Sequence, residues 1–346
     1  MPSPSLTRLR RVLALGAAGY VVRAVAVRVR ALRPVAPDLR SPVLFLPLAP
    51  SNHRLLKMNR RMMARPLPMP VAEGVEVESR TVAVEGREAV RVVSYEHGSR
   101  QRPSAALLWI HGGGTVIGKP EQGNPICSRW AAELGILVIS VDYRLAPEHP
   151  FPAGLEDCYT ALAWVHAQAA QLGVDPSRIA IGGDSAGGLL SASLAQLARD
   201  RDGPSIAFQL LEYPMLDDRT VLLPDPGREK SFIWSPGASR FGWTAYLGAP
   251  PRHDDDRPYA APARTQDLSG LPPAWIGVGS IDLLHDEAVD YADRLRGAGV
   301  ACDLHVERGM FHGADSILRK APTSVRFADA MTRALARGLG VTSPAP

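Results

Sequence analysis

Cysteine is scarce in this chain: 346 residues hold three, Cys127, Cys158 and Cys302. They are widely spaced and odd in number, which argues against a disulfide framework and leaves no zinc-ligand spacing. A reducing, cytoplasmic location is expected, with peripheral attachment to the inner membrane face or secretion as alternatives. Cys158 and Cys302 fall in predicted core elements and read as apolar fillers. Lysine is also rare, four against 35 arginines, a bias that suggests a GC-rich bacterial genome. The uncharged run at residues 12–22 is far short of the ~20 apolar residues that span a bilayer. No nucleic-acid motif or basic–aromatic stripe is present, so nucleic acid is not an expected partner. Asp254-Asp-Asp256 lacks a further ligand group at a recognisable spacing and reads as a solvated loop. Neither a metal nor a cofactor is expected.

Acidic residues are missing from one region only. Residues 1–70 carry 13 Lys or Arg against the single Asp38, a balance of +12, while the rest of the chain carries 26 basic and 34 acidic side chains, a balance of −8. A basic arm on an acidic body has two natural docking surfaces, that body and an anionic membrane. Arg8, Arg10 and Arg11 before residues 12–22 also resemble a signal-peptide start, yet Arg23, Arg28, Arg30 and Arg33 crowd the far side. The favoured reading is a cap helix over the body, with peripheral membrane contact as the rival.

Hydrophobic content of 46% is ample for a large core. Residues 75–84 and 89–95 alternate apolar and polar, as in an antiparallel hairpin at a sheet edge. Residues 105–110 and 137–141 are nearly continuous apolar runs, which suits strands covered on both faces. Residues 55–64, 152–172 and 186–199 read as helices, Asp175-Pro-Ser177 as a turn, and residues 209–213, 274–279 and 302–307 as later strands. Strands alternating with helices predict one α/β core with a mostly parallel sheet and flanking helices. The division expected is an arm with cap helices at 1–70 and a catalytic domain at 71–346. Between 215 and 250 the rhythm lapses and Trp234, Phe241, Trp243 and Tyr246 gather, which reads as a cap insertion; an ordinary packed excursion is the alternative.

The most informative stretch is Gly183-Asp-Ser185-Ala-Gly187, which breaks a β-branched run and opens a helical pattern. Strand, sharp turn, helix is the context of a nucleophile elbow, where a serine hydroxyl stands exposed on a strained turn. Upstream, Leu107-Leu-Trp-Ile110 runs into His111-Gly-Gly-Gly114. Glycines there let backbone N–H groups approach a developing oxyanion. A phosphate-binding loop would need Lys and Ser or Thr at the helix start, and none follows.

His111-Gly-Gly-Gly114, Asp142-Tyr-Arg-Leu-Ala-Pro-Glu148, Phe151-Pro-Ala153 and Gly183-Asp-Ser185-Ala-Gly187 together closely resemble the hormone-sensitive-lipase-like esterases. The likeness runs from about Leu107 to His312. It implies an α/β-hydrolase fold with a helical cap, and it names no substrate. Thr115 departs from the pattern, since an aromatic residue often follows the glycines; pocket size is what this affects.

A serine nucleophile needs an imidazole base oriented by a carboxylate, in the chain order Ser, acid, His. Beyond Ser185 lie His253, His285, His305 and His312. His305 alternates with apolar neighbours and is expected to point outward. His312 follows the last strand, at the carboxyl end where such sheets place ligands, and is the expected base. Asp282 ends the strand before it and is the expected acid. Asp286 and Glu287 are helical rivals, and Asp217 and Asp218 are weaker ones. The expected oxyanion donors are the N–H groups of Gly113, Gly114 and Ala186; the choice among the three loop glycines rests on the resemblance. His111 is expected to fix the loop. The function implied is a serine carboxylesterase acting on short- to medium-chain esters. Amide or formamide hydrolysis, acyl transfer, long-chain lipase action and a non-catalytic receptor are the alternatives. The expected partner is a small-molecule ester, and a homodimer is compatible with the sequence.

Overall fold

The computed structural model describes residues 32–46, 48–64, 69–224 and 232–342. The signal, membrane and cap expectations for residues 1–31 lie outside the described residues.

Eight strands form one sheet: β1 (Val75–Val82), β2 (Val90–His97), β3 (Ser104–Ile110), β4 (Leu137–Asp142), β5 (Val174–Asp184), β6 (Phe208–Glu212), β7 (Ala274–Gly279) and β8 (Cys302–Glu307). Their order is β1-β2-β4-β3-β5-β6-β7-β8. β1 and β2 make the expected edge hairpin, β2 is antiparallel to β4, and every pair from β4 across to β8 is parallel. β3 and β7 are buried at every position, because helices cover both faces and leave no place for polar alternation.

The longer helices are α1 (His53–Met63), α2 (Asn124–Leu134), α3 (Ala153–Ala167), α4 (Ala186–Asp200), α5 (Pro236–Leu247), α6 (His285–Gly297) and α7 (Pro322–Leu339). α4 is buried from Ala186 through Ala198 and forms the spine behind the elbow. The single helix expected over 152–172 is interrupted: α3 ends at Gln168, and one further turn, Ala169–Leu172, stops at the left-handed Gly173. The expected turn at Asp175-Pro-Ser177 lies within β5 as a bulge. Register against β3 slips there, and Asp175 Oδ1 accepts from the Ser177 N–H at 2.9 Å.

Residues 32–46 lie against the far end of the chain. The Ala36 N–H donates to the Gly309 carbonyl at 2.9 Å. Asp38 accepts from the Thr323 N–H (2.8 Å) and hydroxyl (2.9 Å) at the start of α7, and Val35, Leu39 and Leu44 enter the core. This part of the arm is therefore held by its one acid and its apolar side chains. Farther on, an arginine does engage the body: Arg60 of α1 forks onto Glu148 (2.7 and 2.9 Å) and reaches the carbonyls of Val116 and Ala146.

α1 and α5, almost two hundred residues apart in sequence, pack together. His53 meets Phe241 edge to face at 5.2 Å, and Leu56 and Ala245 share an apolar cluster with Val116 and Ala146. Both helices thereby rest on the loop that follows β3.

Candidate active site

β5 delivers Ser185 at its carboxyl end, with φ 54° and ψ −111°, a conformation an L-residue adopts only under constraint. The flanking glycines permit it. A Cβ on Gly183 would stand 2.4 Å from the Ile110 carbonyl oxygen, and one on Gly187 only 1.8 Å from the same atom. The turn is fixed by the Ser185 N–H donating to the Glu212 carbonyl at 2.8 Å.

The loops after β7 and β8 press equally close. A Cβ on Gly279 would lie 2.1 Å from the Met310 carbonyl oxygen, so the two loops bring Asp282 and His312 together. His312 Nδ1 meets Asp282 Oδ2 at 2.8 Å, and His312 Nε2 meets Ser185 Oγ at 2.9 Å. The other carboxylate oxygen accepts from the Leu284 N–H at 2.9 Å. With its Nδ1 facing a carboxylate oxygen of the buried Asp282, the imidazole donates there and leaves Nε2 to accept the serine proton. Tyr213 packs edge-on against the imidazole at 4.7 Å, and Trp234 lies 5.9 Å away.

The rival groups are engaged elsewhere. Asp286 pairs with its neighbour His285. Glu287 accepts from the Leu216 N–H (2.7 Å) and the Thr220 hydroxyl, and burial pushes its carboxyl up to about 8 despite those donors. Asp217 binds Arg219, and both oxygens of Asp218 bind Arg264. The outward orientation expected for His305 is incorrect. Its ring is half-buried, stacked on Trp275 at 6.0 Å and against Phe327 at 5.7 Å, because α7 covers that face of β8.

In the loop after β3, the Gly112 N–H is already committed to Asp184 Oδ1 at 2.9 Å. Gly113 and Gly114 take φ values of 117° and 61°. A Cβ on Gly113 would fall 2.0 Å from the Ile117 carbonyl oxygen, and one on Gly114 would fall 2.4 Å from the Trp234 ring. Among the described residues, the N–H groups of Gly113, Gly114 and Ala186 donate to no backbone carbonyl. His111 stacks on Tyr143 at 4.4 Å, and its Nδ1 bonds the Gly112 carbonyl at 2.8 Å. The Thr115 hydroxyl donates to the Gly114 carbonyl at 2.6 Å and is buried in its own loop.

Sequence reasoning overlooked several neighbours. Asp184 occupies the variable position of the elbow motif, and burial raises its carboxyl to about 6. Glu212 is paired with it across the sheet, and Asp315 follows His312 by three positions. Only their nearness in sequence to Ser185, the β6 end and His312 could have marked them.

A serine, an imidazole and a buried carboxylate joined by hydrogen bonds at the carboxyl edge of a parallel sheet make an acyl-transfer centre on a hydrolase scaffold. The alpha/beta hydrolase fold family model matches residues 107–316. Carboxylesterase NlhH of Mycobacterium tuberculosis is 39% identical over 272 residues, 77% of this chain and 83% of that protein. Esterase LipI of the same organism is 40% identical over 215 residues, 62% of this chain and 66% of its own. A bacterial heroin esterase structure superposes with a TM-score of 0.81 at 38% identity, covering 88% of this chain and 98% of that one. The chain belongs to the α/β-hydrolase family, in its hormone-sensitive-lipase-like class, and is a serine carboxylic ester hydrolase. The bacterial origin read from the arginine bias fits these mycobacterial relatives.

Proposed function

We propose that Ser185 is the nucleophile, His312 the general base and Asp282 the carboxylate that orients it. The hydrogen-bonded line Asp282–His312–Ser185 carries this reading. Ser185 Oγ attacks the ester carbonyl as its proton passes to His312 Nε2, and Asp282 stabilises the imidazolium. The N–H groups of Gly113, Gly114 and Ala186 hold the oxyanion. His312 then protonates the departing alkoxide, the alcohol leaves, and water activated by the same imidazole attacks the acyl-enzyme and releases the acid.

The substrates are esters with acyl groups of two to about six carbons, and the cap is made by α1 with residues 215–250. Trp234 against Gly114, and α5 on the same loop, support a walled, finite site. Each buried methylene adds ~0.8 kcal/mol only while room remains, after which overpacking reverses the gain. A p-nitrophenyl ester series should therefore show kcat/KM rising and then falling. A rate still climbing at twelve carbons would replace this reading with an open-groove lipase. An organophosphate should label Ser185 alone, and a label mapped to another residue would remove the assignment.

The basic arm belongs to the body rather than to a membrane, in keeping with the docking of residues 32–46. Among the described residues no helix is long and apolar enough to cross a membrane. Full-length protein should ignore anionic vesicles at low salt, and co-sedimentation that salt reverses would overturn this placement.

A further inference from the structure

A cavity of about 970 Å³ lies beside the reaction centre, walled by Gly112 and Gly113 of the oxyanion loop and by Asp184, Glu212, Asp315 and Ser324. Its floor is unusual in charge. Glu212 is 3% exposed and Ser324 1%, and Glu212 Oε1, Asp315 Oδ1 and Ser324 Oγ are buried without a hydrogen-bond partner. The Glu212 and Asp315 carboxyls lie against each other, and Asp184 adjoins Glu212 through the β5–β6 register. No arginine, lysine or histidine forms an ion pair with any of the three among the described residues. The nearest acids at the rim are neutralised, since Glu121 pairs with Arg91. Of the cations that line the cavity, Arg129 pairs with Glu133 and Asp329, whereas Lys119 and the exposed Arg319 pair with no acid among the described residues and none of the three reaches the floor carboxyls.

Buried Glu212 and half-buried Asp184 and Asp315 face an open volume and none of them is ion-paired among the described residues, so desolvation raises all three carboxyls, a cost that a cation brought to them would relieve. No group of side chains among the described residues is arranged to hold a metal ion. The volume is also far larger than an ion requires, and Trp109, Ile126 and Met331 give it apolar walls. That combination suits an organic ammonium group, whose charge meets the acids while its carbons meet the walls. We infer that this cavity is a subsite for a positively charged amine carried by the ester substrate, recognised by Glu212 and Asp315 with Asp184 behind them.

The inference rests on the proposed reaction at Ser185, because Gly113 and Asp184 border both the cavity and that centre. A carbonyl seated at Ser185 has the cavity beside it, so a nitrogen a few bonds away reaches the floor.

The test uses the full chain and two matched ester pairs that differ only in replacement of N⁺ by carbon. One pair charges the acyl side: the p-nitrophenyl esters of 4-(trimethylammonio)butanoate and 5,5-dimethylhexanoate. The other charges the alcohol side: the butyrates of 2-(trimethylammonio)ethanol and 3,3-dimethylbutanol. In at least one pair kcat/KM should favour the cation by tenfold or more. Glu212→Gln and Asp315→Asn should each pull that ratio toward one, and because the readout is a ratio, a general loss of activity does not mimic the effect. Tetraethylammonium chloride should inhibit hydrolysis of the neutral esters competitively, beyond sodium chloride at equal ionic strength. Ratios near one in both pairs, or a preference unchanged in both variants, would overturn the subsite while leaving the esterase reading intact. Failure to hydrolyse any of the four esters would instead strike at the assignment of Ser185.

Discussion

Replacing Gly187 by alanine adds one methyl group, and the surroundings dictate its cost. The new Cβ would lie 1.8 Å from the Ile110 carbonyl oxygen, 2.6 Å from its carbon and 2.9 Å from the His111 carbonyl oxygen. All three atoms are backbone, so no flexible side chain can yield. Reaching even 3.0 Å from the oxygen requires the elbow and the end of β3 to part by about 1.2 Å, the difference between 3.0 and 1.8. Gly113 and Gly114 follow Ile110 by three and four positions on the same loop, so the separation moves the proposed oxyanion donors away from Ser185. A displacement of about 1 Å costs on the order of 10²-fold in rate, and loss of one oxyanion donor roughly 10²–10³. Gly187→Ala should therefore lower kcat by roughly 10²–10³ and stability by about 1–3 kcal/mol through overpacking. The control is Gly297→Ala, since a Cβ there meets nothing within 4 Å; its kcat should be unchanged. Steady-state kinetics on p-nitrophenyl butyrate, with thermal melting to verify folding, separates the two effects. Folded Gly187→Ala protein with kcat within threefold of wild type would refute the steric argument.

Three further outcomes are expected. Ser185→Ala should lose roughly 10⁴–10⁶ in kcat while keeping its melting temperature; residual turnover above that range would point to another nucleophile. Asp282→Asn should cost on the order of 10⁴ by favouring the wrong imidazole tautomer, whereas Asp286→Asn should cost little, and reversed losses would move the acid by one helical turn. Glu287 has a folded-state pKa raised from 4.5 to about 8. The folded protein keeps that proton while the unfolded chain releases it, so stability is fully present below pH 4.5 and drains away as pH rises to 8. In urea unfolding, wild type should lose stability relative to Glu287→Gln by about 1.4 kcal/mol per pH unit across that window; a difference independent of pH would mean the carboxyl is not raised in the fold.

Much of the architecture was legible because it depends on short-range pattern. Residues 105–110 announced a doubly covered strand, and β3 is one. The elbow and the glycine loop were legible for a different reason: backbone crowding at Gly183, Gly187 and Gly113 admits almost no alternative residue. Asp282 and His312 could be placed by chain order, and the structure brings both to Ser185. What stayed hidden depends on contacts between distant segments. Nothing in strand alternation says that α7 covers His305, since the covering helix is specified elsewhere in the chain. Glu212 and Asp315 looked like ordinary acids, because lack of a cationic partner is a property of three-dimensional surroundings. The break in the helix at Gln168 is subtler, a local choice that apolar periodicity does not record.

The clasp between Asp38 and Thr323 joins residues 285 positions apart. At about 5–20 residues added per second, the first partner waits roughly 15–60 s for the second to be synthesised. Contacts of such sequence separation also form late in folding, since a long loop must close before they form. The segment at residues 32–46 therefore docks after the later strands are made, against the turn at Gly309 that leads into His312. A ribosome-bound precursor already holding its serine, with the last strand still unmade, has no base to activate it. Hydrolytic competence thus arrives only once the loop after β8 has been made, and until His312 emerges the nascent chain is chemically silent toward the esters around it.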